Sequence, residues 1–213
     1  MKKVLSTKIS DFFKHYEKTS YVRGAYLKNP GKKPKGVFLL ASGTVRCFSF
    51  SKEGSELTIN MFRPISFFPV GWAINNFSDP YAYEALTDVE VYMAPRDKFE
   101  AFLKKNPDVT YDLLRRIFRG LEGYFMRIES LLSGEPYFRT IVELVIHTRR
   151  FGAKSGKAFH VDLTHAKIAS MAGLSRETVT REIKKLEEQG IVKYEGKKLI
   201  LQDIETLEAQ LLG

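Results

Sequence analysis

Residues 162–190, DLTHAKIASMAGLSRETVTREIKKLEEQG, decide how the chain folds towards its C-terminal end. They read as two helices joined by a glycine turn. Thr164 is placed to cap a first helix through Ala172, Gly173 tolerates left-handed backbone, and Ser175 caps the second helix. Gly190 ends it. Val179, Ile183 and Leu186 fall at i, i+4 and i+7, so with Ile168, Met171 and Leu174 they form a face expected to be buried. The opposite face is thereby fixed: Arg176, Glu177, Thr180, Arg181 and Lys184 project outward.

Those outward residues suit the edges of base pairs. An Arg fork donates twice to guanine O6 and N7, and a carboxylate accepts from cytosine N4. Glu177 would otherwise be repelled by phosphates, so it is either a base reader or part of a solvated helix. Arg-Glu-x-x-x-Arg is a weak signal alone, but the caps, the glycine turn and the residues after Gly190 agree with one fold. Ile191–Tyr194 and Leu199–Leu201, separated by Glu195-Gly196-Lys197-Lys198, read as a hairpin, which makes a winged helix-turn-helix with Lys197 and Lys198 at the wing tip. Asp203 caps a short last helix with Ile204, Leu207 and Leu211 on its apolar face.

The 213 residues fit one large domain or two small ones, and the net charge of +9 points to an anionic partner. Split at Gly134, the first part carries +7 and the second +2, so DNA recognition must rest on placement rather than bulk charge. Cys47 is the sole cysteine and cannot form an internal disulfide, which favours a cytoplasmic chain. Lys8 and Asp11 interrupt any export signal, and the apolar run 64–74 is too short and too rich in proline to span a bilayer. No triad, paired carboxylates or phosphate loop suggests an enzyme.

Upstream, Ile9, Phe12, Phe13 and Tyr16 have helical spacing, after which strands are expected at 24–28, 37–41, 44–50, 56–62 and 89–94. In 56–62, Leu57, Ile59 and Met61 alternate with polar residues. Asn29-Pro30-Gly31, Ser42-Gly43 and the turn around Gly54 punctuate the strands, implying an antiparallel sandwich or barrel. The period turns helical from Asp97. After Pro107, Leu114, Ile117, Leu121, Tyr124, Ile128 and Leu131 form an a/d seam of about two and a half heptads, either a helix lying on its own domain or a dimer helix. Ser133-Gly134-Glu135-Pro136 reads as a hinge.

The stretch 174–181, LSRETVTR, is similar to the recognition-helix motif of the Crp/Fnr family of bacterial transcription regulators, and the resemblance extends over nearly the whole chain. It implies an α+β protein: a cyclic-nucleotide-binding-type β-roll over 1–106, a dimerisation helix over 107–133 and a winged helix-turn-helix over 134–213. Gly43 and Gly54 resemble the β-roll glycines. In the family, positions matching Arg176, Glu177 and Arg181 read bases, and those matching Thr164, His165, Ser175 and Thr178 approach phosphates. Thr180 is added to the expected base readers, and Lys184, Lys197 and Lys198 to the phosphate contacts. The implied partners are duplex DNA, a second copy of the chain and RNA polymerase. A signalling module whose helix-turn-helix only packs is the alternative.

The sequence departs from the family at the nucleotide site. Members that bind cyclic nucleotides carry Phe-Gly-Glu-Leu and, about ten residues on, Arg with Ser or Thr. Here the stretches read Phe67-Phe68-Pro69-Val70-Gly71-Trp72 and Ser78-Asp79-Pro80-Tyr81-Ala82-Tyr83. A cyclic phosphate would meet Asp79 rather than a cation, so cAMP binding is not expected. A lone Cys47 excludes the iron–sulfur branch, and no cofactor is expected. Phe67, Phe68, Trp72, Phe77, Tyr81 and Tyr83 either line a pocket for an apolar or aromatic effector or fill the roll. Lys28, Lys32, Lys33 and Lys35 are read as a solvated loop.

Overall fold

A computed structural model describes residues 2–52, 54–196 and 198–211. The chain divides into two compact units, one ending at Arg116 and the other beginning at Ile117, so the boundary falls inside the long helix.

The first unit opens with helix α1 (Lys2–Phe13), followed by strands β1 (Lys18–Tyr21), β2 (Tyr26–Lys28), β3 (Val37–Ser42), β4 (Val45–Phe50), β5 (Glu56–Phe62) and β6 (Phe67–Phe68). Helix α2 (Val70–Asn75), strands β7 (Ala82–Ala85) and β8 (Val89–Ala94), helix α3 (Arg96–Lys105) and the start of α4 (Pro107–Ser133) complete it. Two antiparallel sheets result, ordered β1-β8-β3-β6 and β2-β7-β4-β5. The expected strands are present. β1, β6 and β7 have no sequence signal because they are two to four residues long and poor in β-branched side chains.

Alternation along β5 is broken. A bulge against Cys47 and Phe48 of β4 shifts the register, so Met61 and Thr58 are buried while Leu57 is exposed. Gly43, at the β3–β4 turn with φ of 83°, lies so close to Asp88 that a Cβ would stand 2.3 Å from its carbonyl oxygen, which leaves glycine as the fitting residue.

The strands enclose one core containing Phe38, Leu40, Val45, Cys47, Phe68, Tyr83 and Val91. A second core joins α1, α3 and the first turns of α4 to the outside of β3 and β6 through Ile9, Phe13, Phe67, Trp72, Phe99, Leu103 and Leu113.

The second unit takes the remainder of α4 and adds α5 (Pro136–Phe151), β9 (Ala153–Ser155), β10 (Ala158–Val161), α6 (His165–Ala172), α7 (Arg176–Glu188), β11 (Val192–Glu195), β12 (Lys198–Leu201) and α8 (Ile204–Ala209). The antiparallel sheet β11-β12-β10-β9 carries the expected wing and the additional hairpin β9–β10. Arg127, near the end of α4, grips the 2%-exposed side chain of Glu143 on α5 with two parallel bonds of 2.6 and 2.8 Å. The pair spans the corner at Gly134.

Candidate nucleic-acid interface

The two-helix element is built by its caps. Thr164 Oγ1 accepts from the amide of Lys167, Gly173 adopts φ 62° and ψ 40°, and Ser175 Oγ accepts from the amide of Thr178. Val179, Ile183, Leu186, Ile168 and Met171 are buried and Leu174 half-buried, as the periodicity demands. Arg139 of α5 adds a clamp: its Nη2 donates to the carbonyls of Ala172 and of Gly173, the latter at 2.8 Å, holding the turn between α6 and α7. No local sequence signal marks that role.

Arg176, Glu177, Thr180, Arg181 and Lys184 are all exposed along α7, and Thr164 and Lys198 are exposed in the same unit. Lys197 lies outside the described residues. Glu177 is held below the usual carboxylate range, first by its own backbone N–H and then by Ser175, so it presents an ionised acceptor. His165 Nδ1 lies 2.8 Å from Thr180 Oγ1. The Thr180 hydroxyl gives its proton to the carbonyl of Arg176, so His165 Nδ1 donates and its Nε2 remains for another contact. Burial holds His165 below its ordinary range, opposed by Glu187 and aided by Arg176.

One residue of α7 breaks the pattern. Glu182 is 3% exposed, its Oε1 accepting from Arg181 Nε at 3.2 Å and its Oε2 from Lys185 Nζ. It lies three residues after Val179 and four before Leu186, where the spacing calls for an apolar side chain.

In the roll, the six aromatic residues do not gather. Phe67 and Trp72 pack in the helix-side core, Phe68 and Tyr83 stack at 5.2 Å inside the strands with Tyr81 against them, and Phe77 is 64% exposed. Lys28 corrects the solvated-loop expectation, while Lys32, Lys33 and Lys35 are exposed. Lys28 points inward, its side chain 5% exposed, and donates to the carbonyls of Asp79 at 2.7 Å and Tyr81 at 2.5 Å. Its Nζ stands 3.8 Å from Asp79 Oδ2, a buried atom with no hydrogen-bond partner. A cation therefore does face Asp79, supplied by β2 rather than by the segment around Asp79, but two of its protons are already taken by backbone. Burial lowers Lys28 and raises Asp79, each against the pull of the other, and pushes the Cys47 thiol up to about 12, which makes it an inert core residue.

Among the described residues no helix is long and apolar enough to cross a membrane, and no group of His, Cys, Asp and Glu forms a metal cluster.

Comparison with known proteins agrees with this architecture. Residues 18–106 match the cyclic nucleotide-binding domain and residues 138–210 the Crp-like helix-turn-helix domain. The chain is 31% identical over 185 residues to the global nitrogen regulator of Nostoc sp. strain PCC 7120, covering 85% of this chain and 83% of that protein. It is 27% identical over 207 residues to the CRP-like cAMP-activated global transcriptional regulator of Mycobacterium tuberculosis, covering 93% and 90%. The crystal structure of a CRP/FNR-family transcriptional regulator from Thermus thermophilus superposes with a TM-score of 0.72 at 26% identity, covering 92% of this chain and 99% of that one. The winged helix-turn-helix joined through a long helix to a β-roll, together with these relatives, makes the chain a member of the Crp/Fnr family of DNA-binding transcription regulators.

Proposed function

We propose that the protein acts in the cytoplasm as a homodimer that reads a near-palindromic duplex site through α7, without a cyclic nucleotide. The carrying observation is the outer face of α7, where Arg176, Glu177, Thr180 and Arg181 stand free of the core on a helix fixed by caps, apolar packing and the Arg139 clamp. Arg176 and Arg181 supply forks for guanine, Glu177 accepts from cytosine, and Thr180 makes a shorter-range contact. Thr164, Ser175, Thr178, Lys184 and Lys198 serve the phosphates, and His165 joins them as the imidazolium, donating from Nε2, since the neutral ring with its proton on Nδ1 offers only an acceptor there.

The dimer reading rests on α4. Leu114, Ile117, Leu121, Ile128 and Leu131 are between 37 and 56% exposed, and Phe118 and Phe125 extend the same apolar surface. Tyr124 is half-buried beneath the Arg127 guanidinium. A second copy would cover this stripe and place two reading heads about a two-fold axis, with half-site centres roughly 34 Å apart. The closed Lys28–Asp79 pair and the scattered aromatic residues favour an effector domain that neither cAMP nor cGMP fills. Selection of bound sites from a random duplex pool, with ligand-free protein, tests the proposal. A near-palindrome is expected, with Arg176→Ala relaxing one G·C pair in each half-site and Lys198→Ala weakening all sequences alike. Failure to bind duplex DNA refutes it in favour of a packing-only helix-turn-helix, and binding without a steep salt dependence refutes the phosphate contacts.

A further inference from the structure

Glu182 is the least expected side chain of the reading helix. A carboxylate in an apolar position, shielded from water, is costly unless paired, and leucine or methionine would fill that space with less penalty. Next to a polyanion it also adds repulsion. Its partners account for its placement: one oxygen holds Arg181 at Nε and the other holds Lys185. Burial pushes the Glu182 carboxyl up, but the bonds from Lys185 and Arg181 outweigh it, and the group stays charged.

An arginine held at Nε has its plane fixed and its two terminal nitrogens left over. Those terminal nitrogens are the pair that meets guanine O6 and N7 side by side. The Arg181 side chain is 65% exposed, so the fork is tethered at one edge and open at the other. The adjacent negative charge also reduces what Arg181 gains from any phosphate it touches, a contact that carries no sequence information.

We infer that Glu182 is a specificity-determining positioning residue, which orients Arg181 for a base edge and discounts its use as a phosphate binder. The inference rests on the DNA-reading role proposed for α7.

The test compares full-length wild type, Glu182→Gln and Glu182→Leu on the selected site, on that site with the Arg181-read G·C pair changed, and on random duplex. Glu182→Leu suits the apolar surroundings and is expected to fold. It should bind random duplex several-fold more tightly, and its discrimination at the changed pair should drop about tenfold, within the range a bidentate contact supplies. Its salt slope should steepen by about one phosphate contact. Glu182→Gln, which keeps an acceptor for Nε without the charge, should retain most of the discrimination while gaining non-specific affinity. In an Arg181→Ala background, Glu182→Leu should leave discrimination at that pair unchanged. Equal discrimination by wild type and Glu182→Leu overturns the inference alone, as does a uniform loss of specific and random binding. A wild type that selects no duplex overturns the reading of α7 as well.

Discussion

Replacing Arg139 with methionine should loosen the reading helix without touching it. The guanidinium donates from one nitrogen, Nη2, to the carbonyls of Ala172 and Gly173, at the C-terminal end of α6. A hydrogen bond from a charged donor contributes about 1.5–3 kcal/mol, and one nitrogen shared by two carbonyls counts for little more than one such bond. A cation at a helix C-terminus adds about 0.3–1 kcal/mol. Against this, Arg139 Nε is buried with no partner, and deleting it returns about 1 kcal/mol. The net expected loss is about 2 kcal/mol, or roughly thirtyfold in a local opening equilibrium. Amide hydrogen exchange in α6 and α7 should accelerate by that order, while β3 and β8 of the first unit exchange as before. Affinity for the selected duplex scales with the closed fraction and should change by less than about twofold while the open form stays rare, and Arg139→Lys should recover part of the lost protection. Protection of α7 unchanged within a factor of two would refute the clamp.

Burial pushes His147 down to about 3, from an unfolded value near 6.5, so its stabilisation is complete above about pH 6.5 and is lost as pH falls towards 3. His147→Phe should therefore flatten the acid loss of stability by up to about 1.4 kcal/mol per pH unit, read from urea midpoints between pH 4 and 7; parallel slopes would contradict it. Lys28→Met leaves the Asp79 carboxylate buried without its cation and should cost about 3–5 kcal/mol, whereas Lys28→Met with Asp79→Leu should recover most of the loss in the same titration. Ile128→Glu, in the exposed stripe of α4, should reduce dimer content in sedimentation and weaken operator binding together; a mutant that stays dimeric places the interface elsewhere.

The reading helix is legible in the sequence because its determinants are local. Thr164, Gly173 and Ser175 act within one turn of themselves, and the spacing of Val179, Ile183 and Leu186 follows from the helical repeat. The features that escape such a reading depend on partners far along the chain. Lys28 reads as one of several loop lysines until β2 turns it towards Asp79, 51 residues away. Leu57 and Thr58 exchange places because a bulge, invisible to strict alternation, resets β5. The aromatic residues from Phe67 to Tyr83 look like one cluster in sequence, yet adjacent Phe67 and Phe68 point to opposite faces of a strand and so into different cores. Glu182 does leave a trace, a charge at an apolar phase, but only its two partners give that charge a purpose.

The pairing of Arg127 with Glu143 changes what the Ser133–Pro136 corner is in mechanical terms. Its residues alone make it a swivel, with Gly134 in left-handed backbone two residues before Pro136. A doubly bonded strut across its inner angle turns the swivel into a bracket, so a twist entering the last turns of α4 reaches α5 with little slack. An extra residue beside Gly134 would not lengthen a tether. It would pull the strut apart and leave a carboxylate stranded in the interior of the second unit.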